Sequence, residues 1–167
     1  MEGIIENIEI AGIASCVPKH FEDNMDYGNV LGERRVKRQI RLTGIRKRHT
    51  SNKNQRASDL AMKATEKLLA ELDWKKEDIG VLIYMTQSAD YLIPSTALAL
   101  QERMGLSKEV IAFDVNLGCS SFGYGVHIAA SMMNTMPACK KALCLVADRV
   151  ADMESKRLLN ADTISFS

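Results

Sequence analysis

One stretch, DVNLGCSSFGYG at positions 114–125, limits what this chain can fold into more than any other. The apolar residues 110–115 predict a strand, Gly118 a turn, and the apolar pattern that continues to about Met133 a helix. Cys119 therefore sits at a strand-to-helix corner. A thiol there faces unpaired backbone N–H groups and the positive end of the helix dipole, both of which favour the thiolate. Gly118, Gly123 and Gly125 carry no side chain, so another segment or a ligand can approach the backbone on either side of the sulfur. From these residues alone two readings fit: a nucleophile, or a small buried core residue of the kind most cysteines are.

The flanking sequence repeats the strand-then-helix pattern. Residues 79–84 and 142–147 read as further short apolar strands, and residues 162–167 as the beginning of one more. Ser58 is predicted to cap a helix running through Leu72, with Leu60, Ala61, Ala64, Leu68 and Leu69 on one stripe. Pro94 is predicted in the first turn of a helix that carries Ala97, Leu98, Leu100, Gln101 and Met104 and stops at Gly105. Near the start, Ile4, Ile8, Ile10 and Ile13, with Glu6 and Glu9 between them, predict a partly buried strand ending near Pro18. Strands alternating with helices, over connections long enough for parallel crossovers, imply an α/β fold with a mostly parallel sheet and helices on both faces.

Composition narrows the class. A chain of 167 residues that is 46% hydrophobic can bury one core of its own, and 22 basic against 21 acidic residues leave a formal charge of only +1. Nucleic acid and membrane surfaces are therefore not expected partners, and no run approaches the roughly 20 apolar residues of a membrane span. Cys16, Cys119, Cys139 and Cys144 lack C-x-x-C spacing and nearby histidines, so no metal and no cofactor is expected. With no secretory leader in view, the thiols imply a reducing, cytoplasmic setting. Basic charge is concentrated at positions 33–48, where residues 30–42 predict a helix stopped by Gly44. Arg38, Arg41 and Arg46 there read either as a solvated surface or as an electropositive approach for an acidic carrier or a phosphate-bearing ligand.

A cysteine acyltransferase needs a proton-handling or electrophilic partner beside the sulfur, and the chain has three histidines. His127 lies eight residues after Cys119 on the same predicted helix, about 12 Å along its axis at 1.5 Å per residue, too far for proton transfer. His20 and His49 fall in polar segments. The corner supplies a nucleophile without a partner.

Four blocks in order, TGIRKRH at 43–49, IPSTA at 93–97, AFDV with GCSSFGY across 112–124, and residues 143–148, resemble β-ketoacyl-acyl carrier protein synthase III. The resemblance covers nearly the whole chain but only the first half of the family pattern. It implies an N-terminal thiolase-like half-domain spanning residues 1–167, with a mixed, mostly parallel sheet. The apolar ending TISFS, where the family continues into a second, similar half, suggests a fragment. The implied chemistry is an acyl group carried on Cys119 and attacked by the carbanion left when malonyl-acyl carrier protein loses carbon dioxide. In the family a His and an Asn in the second half stabilise the enolate, so this chain alone is expected not to condense.

The resemblance also implies acyl carrier protein or acyl-coenzyme A as partner, and a homodimer. Ile93 falls where the family places an apolar residue that closes the partner's acyl pocket, a plain cap on the following helix being the other reading. Ser121 replaces a common Gly, either narrowing the acyl pocket or packing. Arg38 and Leu42 stand where well-known members hold coenzyme A with an aromatic residue and an Arg, departures that leave the donor open between coenzyme A and carrier protein. Alternatives are a non-catalytic binding or dimerisation module, or another superfamily acyltransferase such as hydroxymethylglutaryl-CoA synthase. The block at 43–49 argues against the latter and against plant-type polyketide synthases.

Overall fold

Along β3 (Ile79–Met85), Val81, Ile83 and Met85 point to one face and Leu82 and Tyr84 to the other, and all five are buried. Only a strand covered on both sides reads this way. β3 is the central strand of a parallel three-stranded sheet, between β4 (Ile111–Val115) and β5 (Lys141–Val146). In register, Ile83 stands beside Phe113 on one side and Cys144 on the other.

The computed structural model describes residues 4–52, 54–136 and 138–149 and divides into two units. The first comprises Met1–Cys16 and Ala57–Asp148, the second Val17–Arg56 and Arg149–Ser167. In the first unit, α3 (Ala57–Glu71) and α4 (Thr96–Arg103) bring Ala61, Leu69, Ala97 and Leu100 against Leu82 and Tyr84. On the opposite face, α5 (Ser121–Thr135) places Ala129 against Val81, Ile83 and Met85. This three-layer α/β arrangement, with helices on both faces of a parallel sheet, is the expected class. The strand expected over residues 162–167 lies outside the described residues.

Three local expectations are corrected. Residues 4–16 form no strand: Asn7 takes a left-handed φ of 61°, which breaks the extended run. Ser58 does not cap α3, which begins one residue earlier. It is buried in the first turn, and its hydroxyl donates to Asp90 at 2.5 Å. Pro94 precedes α4, following a cis Ile93–Pro94 bond, and the helix begins at Thr96.

The second unit holds the basic stretch. β1 (Phe21–Asp23) pairs antiparallel with β2 (Lys47–His49). The helix predicted over residues 30–42 is two, α1 (Gly28–Leu31) and α2 (Glu33–Thr43), because Gly32 at φ 87° turns the chain between them. Gly44 ends α2 as expected, its N–H bonding to Ile40 O at 2.8 Å. The nearly buried Arg48 donates to the Tyr27 hydroxyl at 3.1 Å and contacts Glu22 at 3.4 Å, while Tyr27 donates to Glu22 at 2.5 Å. Burial, and after it the Glu22 carboxylate, pushes the Tyr27 hydroxyl up from its usual value.

Candidate active site

Cys119 is exposed, in a single 3-10 turn (Gly118–Ser120) that leads directly into α5. The turn starts from Gly118 at φ 59°, a left-handed conformation in which a side chain would be strained. Two serines then hold the residue before it. Ser121 Oγ accepts the Leu117 N–H at 2.9 Å, and the Ser120 hydroxyl donates to Leu117 O at 2.7 Å. Ser121 is buried, so its hydroxyl serves the turn. The sulfur is thus presented at the carboxyl end of β4 and the amino end of α5, where backbone N–H groups lack intrahelical partners.

Behind the corner, α5 approaches the sheet closely. A Cβ at Gly125 would fall 2.2 Å from Met85 Sδ, so only glycine permits this spacing. Phe122 and Tyr124 are half exposed, and His127 is exposed two turns along the helix. The other cysteines differ from Cys119. Cys139 is buried and Cys144 partly so, and burial pushes both thiols up from their usual value.

Three acceptors and one side chain that sequence reasoning did not single out hold the surroundings. Asp114 accepts the N–H groups of Thr96 at 2.8 Å and Ala97 at 2.7 Å, capping α4 from the end of β4. Thr96 Oγ1 in turn accepts the Asp90 N–H at 2.9 Å, fixing the loop that precedes α4. Asp148 Oδ1 accepts the Gln87 N–H at 2.5 Å and the Thr86 hydroxyl at 3.1 Å. The Gln87 carboxamide lies over Gly118, 3.4 to 3.5 Å from the position of a Cβ there. The signal was present: Asp114 and Asp148 lie at or just past the carboxyl ends of parallel strands, where α/β sheets gather functional loops.

The remaining site candidates are distributed as follows. Ile93 is 88% exposed beside Leu92 at 96%, on the loop entering α4. Arg38, Arg41 and Arg46 belong to the second unit, the first two exposed on α2. Arg46 bonds Asp23 at 3.1 Å. The Met25 N–H, and after it Arg46, holds the Asp23 carboxyl below its usual range. Among the described residues no helix is long and apolar enough to cross a membrane.

Residues 113–161 match the family model of 3-oxoacyl-[acyl-carrier-protein] synthase III. The beta-ketoacyl-[acyl-carrier-protein] synthase III of Fusobacterium nucleatum is 31% identical over 155 residues, covering 91% of this chain and 46% of that protein. A 2.1 Å crystal structure of 3-oxoacyl-(acyl-carrier-protein) synthase III superposes with a TM-score of 0.84 at 31% identity, covering 93% of this chain and 45% of that one. Cerulenin-bound OleA from Xanthomonas campestris gives 0.72 at 30% identity, over 80% of this chain and 40% of that one. The chain spans less than half the length of these relatives. Over nearly its whole length the chain is thus similar to β-ketoacyl-acyl carrier protein synthase III proteins, as a match to the N-terminal half of them.

Proposed function

We propose that this chain carries the nucleophile of a decarboxylating condensing acyltransferase, with Cys119 as the acyl acceptor. The observation that supports it is the exposed sulfur between Gly118 and the amino end of α5, in a chain whose relatives are named for this synthase. The Cys119 sulfur attacks the carbonyl of an acyl thioester, and the new S–C bond forms as the carrier's C–S bond breaks. The carrier sulfur leaves with the electron pair and takes up a proton equivalent to the one Cys119 lost. The Cys119 N–H is one donor to the tetrahedral oxyanion. Malonyl-acyl carrier protein then loses carbon dioxide, its carbanion forms a C–C bond to the acyl carbonyl, and the Cys119 thiolate leaves.

Residues 1–167 act in this reading as the nucleophile half-domain, with the enolate-stabilising His and Asn supplied from outside it. Ser121, fixed in the turn, narrows the acyl pocket beside the sulfur. Ile93 projects from an apolar loop and meets a second copy in a homodimer, where it closes the partner's acyl pocket. Arg38 and Arg41, with Arg46 beyond them, supply positive charge for an acidic carrier or a phosphate. The free thiols suit work in the reducing cytoplasm. The test is transfer of a radiolabelled acyl group from coenzyme A or carrier-protein thioesters to the protein, located by peptide mass spectrometry. Label on Cys119 that is lost in Cys119→Ala supports the reading. Label retained in that variant overturns the nucleophile, and a protein that takes no label from either donor is a non-catalytic module.

A further inference from the structure

The carboxyl ends of the three strands lie side by side near the Cys119 corner, and a carboxylate just past β5 is bonded to the residues just past β3. Thr86 N–H bonds to Val115 O at 3.1 Å, and Ala147 N–H to Met85 O at 3.2 Å, so β3 is linked to both neighbours just past its end. Asp148, the next residue, takes the Gln87 N–H and the Thr86 hydroxyl on the same oxygen, Oδ1. Thr86 is itself buried, and its Oγ1 also accepts the Ser88 N–H at 3.0 Å. The backbone of Gln87 is therefore held on both sides, which aims its side chain.

That side chain lies against Gly118. Its Nε2, Cδ and Oε1 are at nearly equal distances, 3.4, 3.5 and 3.5 Å, from where a Cβ of Gly118 would stand, so the carboxamide faces the residue broadside. Gly118 has a left-handed φ and few steric restraints of its own. The peptide joining it to Cys119 carries the N–H that would meet the oxyanion, and a cover over Gly118 limits how that peptide can rotate.

We propose that Gln87, anchored by Asp148, is a positioning residue that orients the Cys119 N–H for acyl transfer. The inference rests on Cys119 being the nucleophile. It separates two reactions of one sulfur. Acylation passes through an oxyanion and needs the N–H aimed at it, whereas alkylation by iodoacetamide forms no oxyanion.

The experiment compares both reactions at Cys119 by peptide mass spectrometry on the intact chain. With p-nitrophenyl acetate, the S–C bond forms as the ester C–O bond breaks, p-nitrophenolate leaves with the electron pair and the thiol proton passes to buffer. In Gln87→Ala and Asp148→Ala, acetylation of Cys119 is expected to slow about tenfold or more while alkylation stays within about twofold. Asp148→Asn keeps the acceptor oxygen and is expected to restore acetylation to within about threefold of wild type. Gln87 is exposed, so its truncation leaves the fold intact, and equal melting temperatures check this. Unchanged acetylation in Gln87→Ala, or acetylation and alkylation falling in the same proportion, would overturn the positioning role. Wild-type Cys119 acetylated no faster than Cys16 would overturn the nucleophile reading and the positioning role with it.

Discussion

The carboxylate of Asp114, at the end of β4, accepts the N–H of Ala97, in the first turn of α4, at 2.7 Å. Its other oxygen takes the Thr96 N–H, so two blocks of sequence that resemble one family are joined by one side chain. Both oxygens are used. Asp114→Ala is expected to lower stability by about 1–2 kcal/mol, the usual cost of losing a helix cap. Asp114→Asn keeps one acceptor oxygen and should fall between the two. Urea titrations of the three proteins check the order, and equal midpoints would remove the cap from the account.

Gly125 faces Met85 across the contact between α5 and β3. Gly125→Ala should cost about 1–3 kcal/mol, because Met85 is buried and its sulfur must move. Met85→Ala alone should cost about 2–5 kcal/mol by leaving a cavity. The two side chains compete for the same space, so the double variant is expected to be more stable than the sum of the single losses predicts. A double-mutant cycle from thermal unfolding measures the coupling.

Burial pushes up both the Cys144 thiol and the Tyr84 hydroxyl. Each group therefore favours the folded state fully below its unfolded value, ordinarily 9.0 for the thiol and 10.0 for the phenol, and that contribution is lost as pH rises towards the folded value. Stability should decline above pH 9, more steeply above pH 10. Cys144→Ala is expected to flatten the first part of the decline and Tyr84→Phe the second, as read from denaturation midpoints across pH.

The cysteines should react in the order of their exposure. Under limiting iodoacetamide Cys119 is expected to be modified first and Cys139 last, with Cys16 and Cys144 between them. Cys139 labelled alongside Cys119 in folded protein would contradict the packing of β3 and α5.

Apolar surface lies open on the first unit. Leu92 and Ile93 are almost fully exposed, and a groove of about 410 Å³ is lined by Ile8, Leu68, Phe122, Val126 and Leu145, among other residues. The chain should bind a hydrophobic dye and self-associate, and Leu92→Asp with Ile93→Asp should weaken the association. Sedimentation of a clean monomer with no dye binding would count against both the homodimer and the half-domain.

How much of this was legible in the sequence depended on the range of the interactions. The corner at Cys119 could be read directly, because an apolar run, a left-handed glycine and a helical pattern are local signals. The break at Gly32 and the placing of Ser58 were missed because propensity does not distinguish a turn from a continuing helix, or a cap from a buried hydroxyl with a distant partner. Residues 4–16 looked like a strand because isoleucine favours extended backbone, but strands also need a ladder partner.

The sequence by itself determined the α/β class, the cysteine at the strand-to-helix corner and the resemblance to one family, since each is carried by residues close together or by motifs in order. Only the tertiary structure decided that Asp114 caps α4, that Asp148 holds Gln87 over Gly118, and that Gly125 admits Met85. These contacts join residues 17 to 61 positions apart. Hydrogen bonds and close packing act over a few ångströms, so such partners are fixed only once the parallel sheet has brought its strand ends side by side.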